Sequence, residues 1–521
     1  MKFDFARRAS LRGSALPPLA LGITILLVGL KFILHIATNW NYGYFRDELY
    51  YMECGRHLAP GYADMAPFTP LMAKIGLLLG GSITAIRLPA DVAGALMVLL
   101  TILIARELGG GKFAQGLAGL CVLLAPGLLV MDDFLTTNCW EPVFWMGCIW
   151  MLARIVRTGD SRQWIWFGVF GGLGIENKHS ALFFLIAVLA GVLLTPLRRE
   201  FKTKWLWYGV GIIFLLCLPN LIWQIQHNFA TYELLRNVQK THKNIVLGPG
   251  AYFAQQVLTM GPLSFVVWGV GLVCCFLRPR WRVLGWTYVA LFVIMVALKG
   301  KNYYFFPIAP MVMAAGAVVW EKWSAARSWG RWARPAYIVL LVAASLIFAP
   351  LFLPILPPAR FIAYEHALHF EPPKSEVESA GPLPQYFGDQ FGWEGLVAEV
   401  ARDYDSLPPE ERAKTSIRTG NYGEAGAVNE FGGRYGLPKA ITGHQNYFFW
   451  GPPKPPIGVV GTNLIVLQDD QESLERFCDS VSVISVHHDE WGMAEENGPI
   501  YYCKGLKYSI QELWPRMKHW N

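Results

Sequence analysis

The chain has 521 residues, 54% of them hydrophobic and only 16% charged, with a formal net charge of +7. Soluble globular proteins carry about 25% charged residues, so a wholly soluble protein is excluded and a large membrane part with a polar remainder is expected. The positive charge clusters in short loops between apolar spans, which is an orientation signal rather than a nucleic-acid surface, and no nucleic-acid partner is expected.

A membrane-crossing helix needs about 20 apolar residues. Windows of that kind lie at roughly 16–37, 86–105, 113–131, 139–156, 164–176, 180–196, 205–223, 257–277, 283–298, 303–321 and 336–356, eleven in all. The first follows the basic stretch Ala6 to Arg12 and has no small-residue cleavage site, so it reads as an anchor and not as a cleaved leader. Every second loop is basic: Arg7, Arg8 and Arg12; Arg106 and Lys112; Arg154, Arg157 and Arg162; Arg198, Arg199, Lys202 and Lys204; Arg278, Arg280 and Arg282; Lys322, Arg327, Arg331 and Arg334. The positive-inside rule assigns these to the cytoplasm, with the N-terminus. The intervening loops are then outside, as is the polar remainder after residue 356. The expected fold is a polytopic α-helical membrane domain (1–356) with about eleven transmembrane helices, followed by a soluble extracytoplasmic α/β domain (357–521). The expected location is the inner (plasma) membrane, with the C-terminal domain periplasmic.

The first outer loop, 38–85, contains Tyr50 to Leu58 and Leu71 to Leu79, which read as short amphipathic helices lying on the membrane. Pro67-Phe-Thr-Pro70 between them reads as a rigid turn. The loop Gln224 to Gln256 carries Arg236, Lys240, His242 and Lys243, either as a solvated helix face or as a phosphate attractor. In the C-terminal region, strands are expected at Ile417 to Tyr422, Asn463 to Gln468, Val481 to His487 and Ile500 to Lys504. Helices are expected at Leu396 to Asp403, Ala425 to Tyr435 and Glu472 to Asp479, the last capped by Asp470. Gly420-Asn-Tyr-Gly-Glu-Ala-Gly426 fits a tight strand-to-helix turn better than a nucleotide loop. Cys478 and Cys503 could form a disulfide in an oxidising compartment or remain thiols. His487-His488-Asp489-Glu490 fits a polar strand end or a metal site. Tyr447-Phe-Phe-Trp450 fits a binding loop, a membrane-facing tip or core packing.

The outer loops share a chemical pattern. Asp47 and Glu48 follow the first span, flanked by Arg46 and tyrosines, and adjacent acids at a membrane mouth are costly unless they face a cavity, a cation or a substrate. The second outer loop brings Asp132, Asp133 and Asn138, the next Lys178 and His179, and the last Lys299, Lys301, Tyr303 and Tyr304. Singly, a lysine near a span end snorkels and an acid at a helix start complements the dipole. Converging on one membrane face, they suit a phosphate-bearing lipid substrate, with lysines holding the phosphate and a carboxylate taking a proton from the nucleophile.

With these residues in view, the chain resembles glycosyltransferase family 39 of the GT-C type, which includes protein O-mannosyltransferases and the bacterial aminoarabinose transferases that modify lipid A. The likeness rests on Asp47-Glu48, Asp132-Asp133, Asn177-Lys178 and Lys301-Asn-Tyr-Tyr-Phe-Phe-Pro307, over roughly residues 38–320. It implies inverting transfer of a sugar from a polyprenyl-phosphate donor to an extracytoplasmic acceptor, among membrane lipids, with Asp47 as general base. It further implies that Glu48 orients that base or the acceptor, and that Asp132 and Asp133 line the pocket. Lys178 and Lys301, then Lys299 and His179, would hold phosphate, and Tyr303 and Tyr304 would stack on sugar or prenyl chain. No cofactor is required by the resemblance; a divalent metal, if one binds, would draw on Glu48, Asp132 and Asp133. The alternative is a polyprenyl-lipid or solute transporter, against which stand the one-sided charges and the lack of an internal repeat.

Overall fold

A computed structural model describes residues 15–241, 245–372, 381–455 and 458–520. Arg7, Arg8, Arg12, His242 and Lys243 lie outside the described residues. Contacts divide the chain into two compact units. One comprises Met1–Asn39, Arg87–Ile222 and Ile245–Ile355; the other comprises Trp40–Ile86, Trp223–Asn244 and Leu356–Asn521. The first outer loop is thus grouped with the C-terminal region rather than with the spans that flank it in sequence.

The first unit is helical, and helical segments fall in each of the apolar windows. Among the described residues, six helices are long and apolar enough to cross a membrane, or up to eight if each of two bent pairs is one span. The shortfall from eleven has two sources: Gln163–Asn177 and Arg282–Ala297 are only 15 and 16 residues long, and other windows break near proline. The window 113–131 breaks at Leu124, and Pro126 starts a separate turn. Pro249–Thr259 and Pro262–Leu277 meet at 116°, where Gly261 takes a positive φ of 88° and Pro262 opens the next helix. Ala181–Leu193 and Pro196–Lys202 meet at 105°.

Helices approach closely where side chains are missing, which is how helices associate without a hydrophobic driving force in lipid. A Cβ on Gly271 would lie 2.6 Å from the backbone nitrogen of Gly316, and one on Gly168 would lie 2.8 Å from Cα of Gly209. The first span, Leu21–Thr38, adds a polar lock. Lys31 is wholly buried and its Nζ lies 2.8 Å from Asp132 Oδ2.

The second unit carries a five-stranded sheet ordered β2-β1-β3-β5-β4. Its strands are β1 (Thr415–Arg418), β2 (Ala440–Ile441), β3 (Asn463–Val466), β4 (Cys478–His487) and β5 (Gly498–Leu506). β1 runs parallel to β2 and β3, whereas β5 pairs antiparallel with β3 and β4. The expected helix 472–479 is cut short at Glu475, because the chain from Cys478 joins β4. Asp470 caps it as expected, accepting from Ser473 N at 2.8 Å. Cys478 and Cys503 are disulfide-bonded. Phe448 stacks on Trp514 with centroids 5.9 Å apart and packs against the sheet's core, so the aromatic run 447–450 is core packing.

Of the two helices in the 38–85 loop, Phe68–Leu78 exposes Leu71, Ile75 and Leu78 as a surface helix does, whereas Arg46–Arg56 differs from the surface helix expected. Every residue from Glu48 to Gly55 is buried. Gly55 permits the close approach of Phe68–Leu78, since a Cβ there would lie 2.9 Å from Lys74 N. Pro67 precedes the second helix and Pro70 sits in its first turn, where a missing N–H costs nothing, so the Pro-rich stretch starts the helix rather than preceding it.

Candidate active site

Asp47 and Glu48 occupy the first turn of Arg46–Arg56, where carboxylates complement the helix dipole. Their roles diverge there. Glu48 is wholly buried and its Oε2 accepts from Phe45 N at 2.8 Å, closing the helix start. Asp47 is half-buried and lines a cleft of about 360 Å³ with Tyr50, Tyr51, Asp64, Tyr422, His444 and other residues. Its Oδ1 accepts from the Tyr422 hydroxyl at 2.8 Å. A parallel pair stands beside it, with the Tyr50 hydroxyl donating to Asp64 Oδ1 at 2.9 Å.

Tyr422 is delivered by the turn after β1. Asn421 caps helix Tyr422–Phe431, accepting from Gly423 N at 2.8 Å and Glu424 N at 3.0 Å, while the Glu424 carboxylate returns to Asn421 N at 3.3 Å. This is a reciprocal capping box, as the strand-to-helix reading requires. Gly423 and Gly426 let this helix press onto Arg46–Arg56. A Cβ on Gly423 would lie 2.7 Å from Arg46 Cγ, and one on Gly426 would lie 2.8 Å from the Leu49 backbone.

Acid outweighs base around this cleft. Arg46 pairs with Glu495, lies 3.5 Å from Glu496 and 3.9 Å from Asp389, and covers the Tyr422 ring at 5.4 Å. A single guanidinium shared three ways does not hold all its partners ionised. Burial pushes Asp389 up to about 8 and Asp64 up to about 7. Burial raises both Glu424 and Glu496, helped by repulsion from Glu496 in the first case and from Glu495 in the second. His519 is held below its ordinary value by burial, so it adds no compensating charge.

The other predicted residues lie in the helical unit. Lys178 donates to Asn138 Oδ1 at 2.6 Å, lies 3.3 Å from Glu141 Oε2 and sits 4.1 Å from the Tyr304 ring centroid. Tyr303 stands between two ammonium groups, 5.6 Å from Lys178 and 5.7 Å from Lys301. His179 adjoins this set and is lowered by burial. Lys299 is exposed, with a positive φ of 55°. Asp132 is taken by Lys31, and Asp133 lies 3.8 Å from His35.

Among the described residues no set of three or more His, Cys, Asp or Glu side chains is placed to hold an ion. Glu48 is committed to its helix start and Asp132 to an ammonium. His487 likewise ends β4 with Nδ1 3.0 Å from Glu399 Oε2.

Tyr422, Asp64, Asp389 and Lys31 are functional candidates that the sequence does not single out. Lys31 and His35 were visible as ionisable residues inside an apolar span, a default functional flag. The spacing of Gly423 and Gly426, one helical turn apart, signalled a close helix contact.

Comparison with known proteins supports the resemblance. Residues 64–223 match the family dolichyl-phosphate-mannose-protein mannosyltransferase. The fold matches ArnT from Cupriavidus metallidurans bound to undecaprenyl phosphate, with TM-score 0.59 and 14% identity over 92% of this chain and 98% of that one. The same protein in the apo state matches with TM-score 0.60 and 15% identity, over 93% of this chain and 98% of that one. Arabinofuranosyltransferase AftD from Mycobacteria matches with TM-score 0.54 and 11% identity, over 93% of this chain and 40% of that one. No curated protein sequence matches. The chain therefore has the multi-span GT-C fold of membrane glycosyltransferases.

Proposed function

We propose that this protein is an inverting membrane glycosyltransferase that moves a sugar from a polyprenyl-phosphate donor to an acceptor outside the cytoplasm. The observation that carries the reading is Asp47. It is a half-buried carboxylate lining a cleft, at a helix start fixed by Glu48, among acids too numerous for the one arginine present. Perturbed acids gathered in a cleft are the setting in which proton transfer occurs. The fold shared with ArnT, a protein that binds undecaprenyl phosphate, supports the donor class.

In this reading Asp47 removes the proton from an acceptor hydroxyl or amine as that atom attacks C1 of the sugar. The C1–oxygen bond to phosphate breaks on the opposite face, and its electron pair leaves with the phosphate. A single displacement inverts C1, and the products are the glycosylated acceptor and the polyprenyl phosphate. Lys178 and Lys301 bind the leaving phosphate as point charges, with His179 and the exposed Lys299 as outlying contributors. Asn138 and Glu141 hold Lys178 in place, and Tyr303 and Tyr304 offer faces to the sugar or the prenyl chain. Arg46 fixes the cleft wall rather than the substrate. Asp132 belongs with Lys31 to the internal lock of the bundle, and Asp133 lies beside it near His35. Eleven crossings, a cytoplasmic N-terminus and an inner-membrane location complete the proposal. No step runs through a metal.

The test is donor consumption by protein in lipid nanodiscs, supplied with a panel of polyprenyl-phosphate sugars and membrane extract and followed by mass spectrometry. Wild type is expected to deplete one donor and yield polyprenyl phosphate. Asp47→Asn is expected to lose at least about a hundredfold in rate with normal expression and thermal midpoint. Near-normal turnover in Asp47→Asn would overturn the base assignment. No donor consumed by wild type would favour the transporter reading, to be followed in sealed vesicles.

A further inference from the structure

We propose that Tyr422 is a positioning residue for Asp47: its phenol, brought in by the first strand-to-helix turn of the C-terminal sheet, keeps that carboxylate ionised and oriented along the cleft. The inference deepens the reading of Asp47 as base and rests on it. It also gives the C-terminal region a task in the site that the sequence left open.

The geometry leaves little freedom. Tyr422 and Asp47 stand 375 positions apart in sequence and 2.8 Å apart in space. An ionised carboxylate only accepts hydrogen bonds, so the phenol donates. The ring is clamped on three sides, by Tyr50 at 5.0 Å, by His444 at 5.0 Å and by the Arg46 guanidinium. Its backbone nitrogen donates to His444 Nδ1 at 3.2 Å. The hydroxyl is therefore delivered by a rigid ring rather than a rotating side chain.

The charges around Asp47 say why such a donor is needed. From its own segment the aspartate meets Arg46, Tyr51 and Asp64; from the C-terminal region it meets Tyr422 and Asp389, with Glu495, His444 and His519 lining or adjoining the cleft. Arg46 is spread over Asp389, Glu495 and Glu496, and the neighbouring acids disfavour a further negative charge. A hydrogen bond given to the charged form acts in the opposite direction. Burial and the Asp47 charge together raise the Tyr422 phenol well above its ordinary value, so it remains a protonated donor at any physiological pH.

The test needs no substrate. Asp47 is titrated by difference infrared spectroscopy in detergent, its carboxyl band being the one that Asp47→Asn removes. Tyr422→Phe keeps the clamped ring and deletes the donor. Its Asp47 midpoint is expected to rise by about one pH unit or more, and the acid limb of any turnover profile is expected to move with it at nearly unchanged KM. A fluorotyrosine at 422, nearly isosteric and a stronger donor, is expected to lower the midpoint. An unmoved midpoint in both would overturn the proposal. The base reading fails separately, through an active Asp47→Asn.

Discussion

The two units treat their buried acids differently. In the helical unit three buried acids are matched to cations, while Asp91 and Glu176 accept from the amides of Asn39 and Asn220. Asp132 has Lys31 at 2.8 Å, Glu141 has Lys178 at 3.3 Å, and Glu107 has Arg157 at 2.5 Å. In the unit built from the 38–85 loop and the C-terminal region, acids crowd around Arg46, and Asp47 and Asp64 accept from the phenols of Tyr422 and Tyr50. A matched acid has its charge fixed by its partner and serves as a fastener. A surplus acid holds or releases a proton according to small changes around it, which is what acid–base chemistry requires. The pattern of pairing therefore separates structure from reactivity where acidity alone does not. It moves Asp132 to the structural side and leaves Asp47 on the reactive one.

The sharpest way to break this contrast is to unmatch a matched pair. Lys31→Met would leave Asp132 uncompensated in the bundle, and breaking a buried pair costs about 3–5 kcal/mol. The variant is expected to accumulate poorly and to unfold at a much lower temperature by fluorescence-detected size exclusion. The double variant Lys31→Met with Asp132→Leu removes both charges and is expected to recover most of that loss. If the double variant folds but has no turnover, Asp132 has a chemical role beyond its pairing.

The sequence carried some of this. Asp47 and Glu48 stood out because neighbouring carboxylates at a membrane mouth demand a reason, and Lys178 because it opens a span. Their division of labour was not legible: which of the two acids closes the helix depends on the turn at Phe45, a property of backbone geometry. Tyr422 was beyond reach, since one tyrosine at a helix start carries no periodicity that links it to a residue 375 positions away. The helix positions in the apolar windows followed from hydropathy. The breaks at Leu124 and Gly261 did not, although Pro126 and Pro262 mark both. The buried state of helix Arg46–Arg56 was missed because its polar composition reads as a surface helix until the partners of Tyr50, Glu53 and Arg56 are known.

A smaller effect sharpens the contact that brings the C-terminal helix to Asp47. Gly426→Ala would place a Cβ 2.8 Å from the Leu49 backbone, with no flexible side chain to yield. Overpacking of this kind costs about 1–3 kcal/mol, and the helices must separate, so turnover is expected to fall together with the thermal midpoint. Gly433→Ala, which meets nothing within 4 Å, is the control and is expected to change neither. Equal behaviour of the two would mean that the approach of the helices does not matter to the cleft.

The smallest effect concerns pH and the surplus of acid itself. Asp389 is lowered by Arg46 and raised by burial and by Asp47, Glu495 and Glu496; burial is the largest influence, and the group lies at about 8. A carboxylate raised in the folded state keeps its proton after the unfolded chain has lost its own. Its contribution to stability is complete below the ordinary carboxylate range and is lost as pH rises through about 8. The thermal midpoint of the purified protein is therefore expected to fall by roughly 3–6 °C between pH 5.5 and 8.5. In Asp389→Asn, which is neutral throughout, that slope is expected to flatten. A wild-type midpoint that holds steady while Asp389→Asn is destabilised at every pH would mean that Arg46 keeps Asp389 ionised. Asp389 would then belong with the matched acids of the bundle, and the excess of acid around Asp47 would be smaller by one.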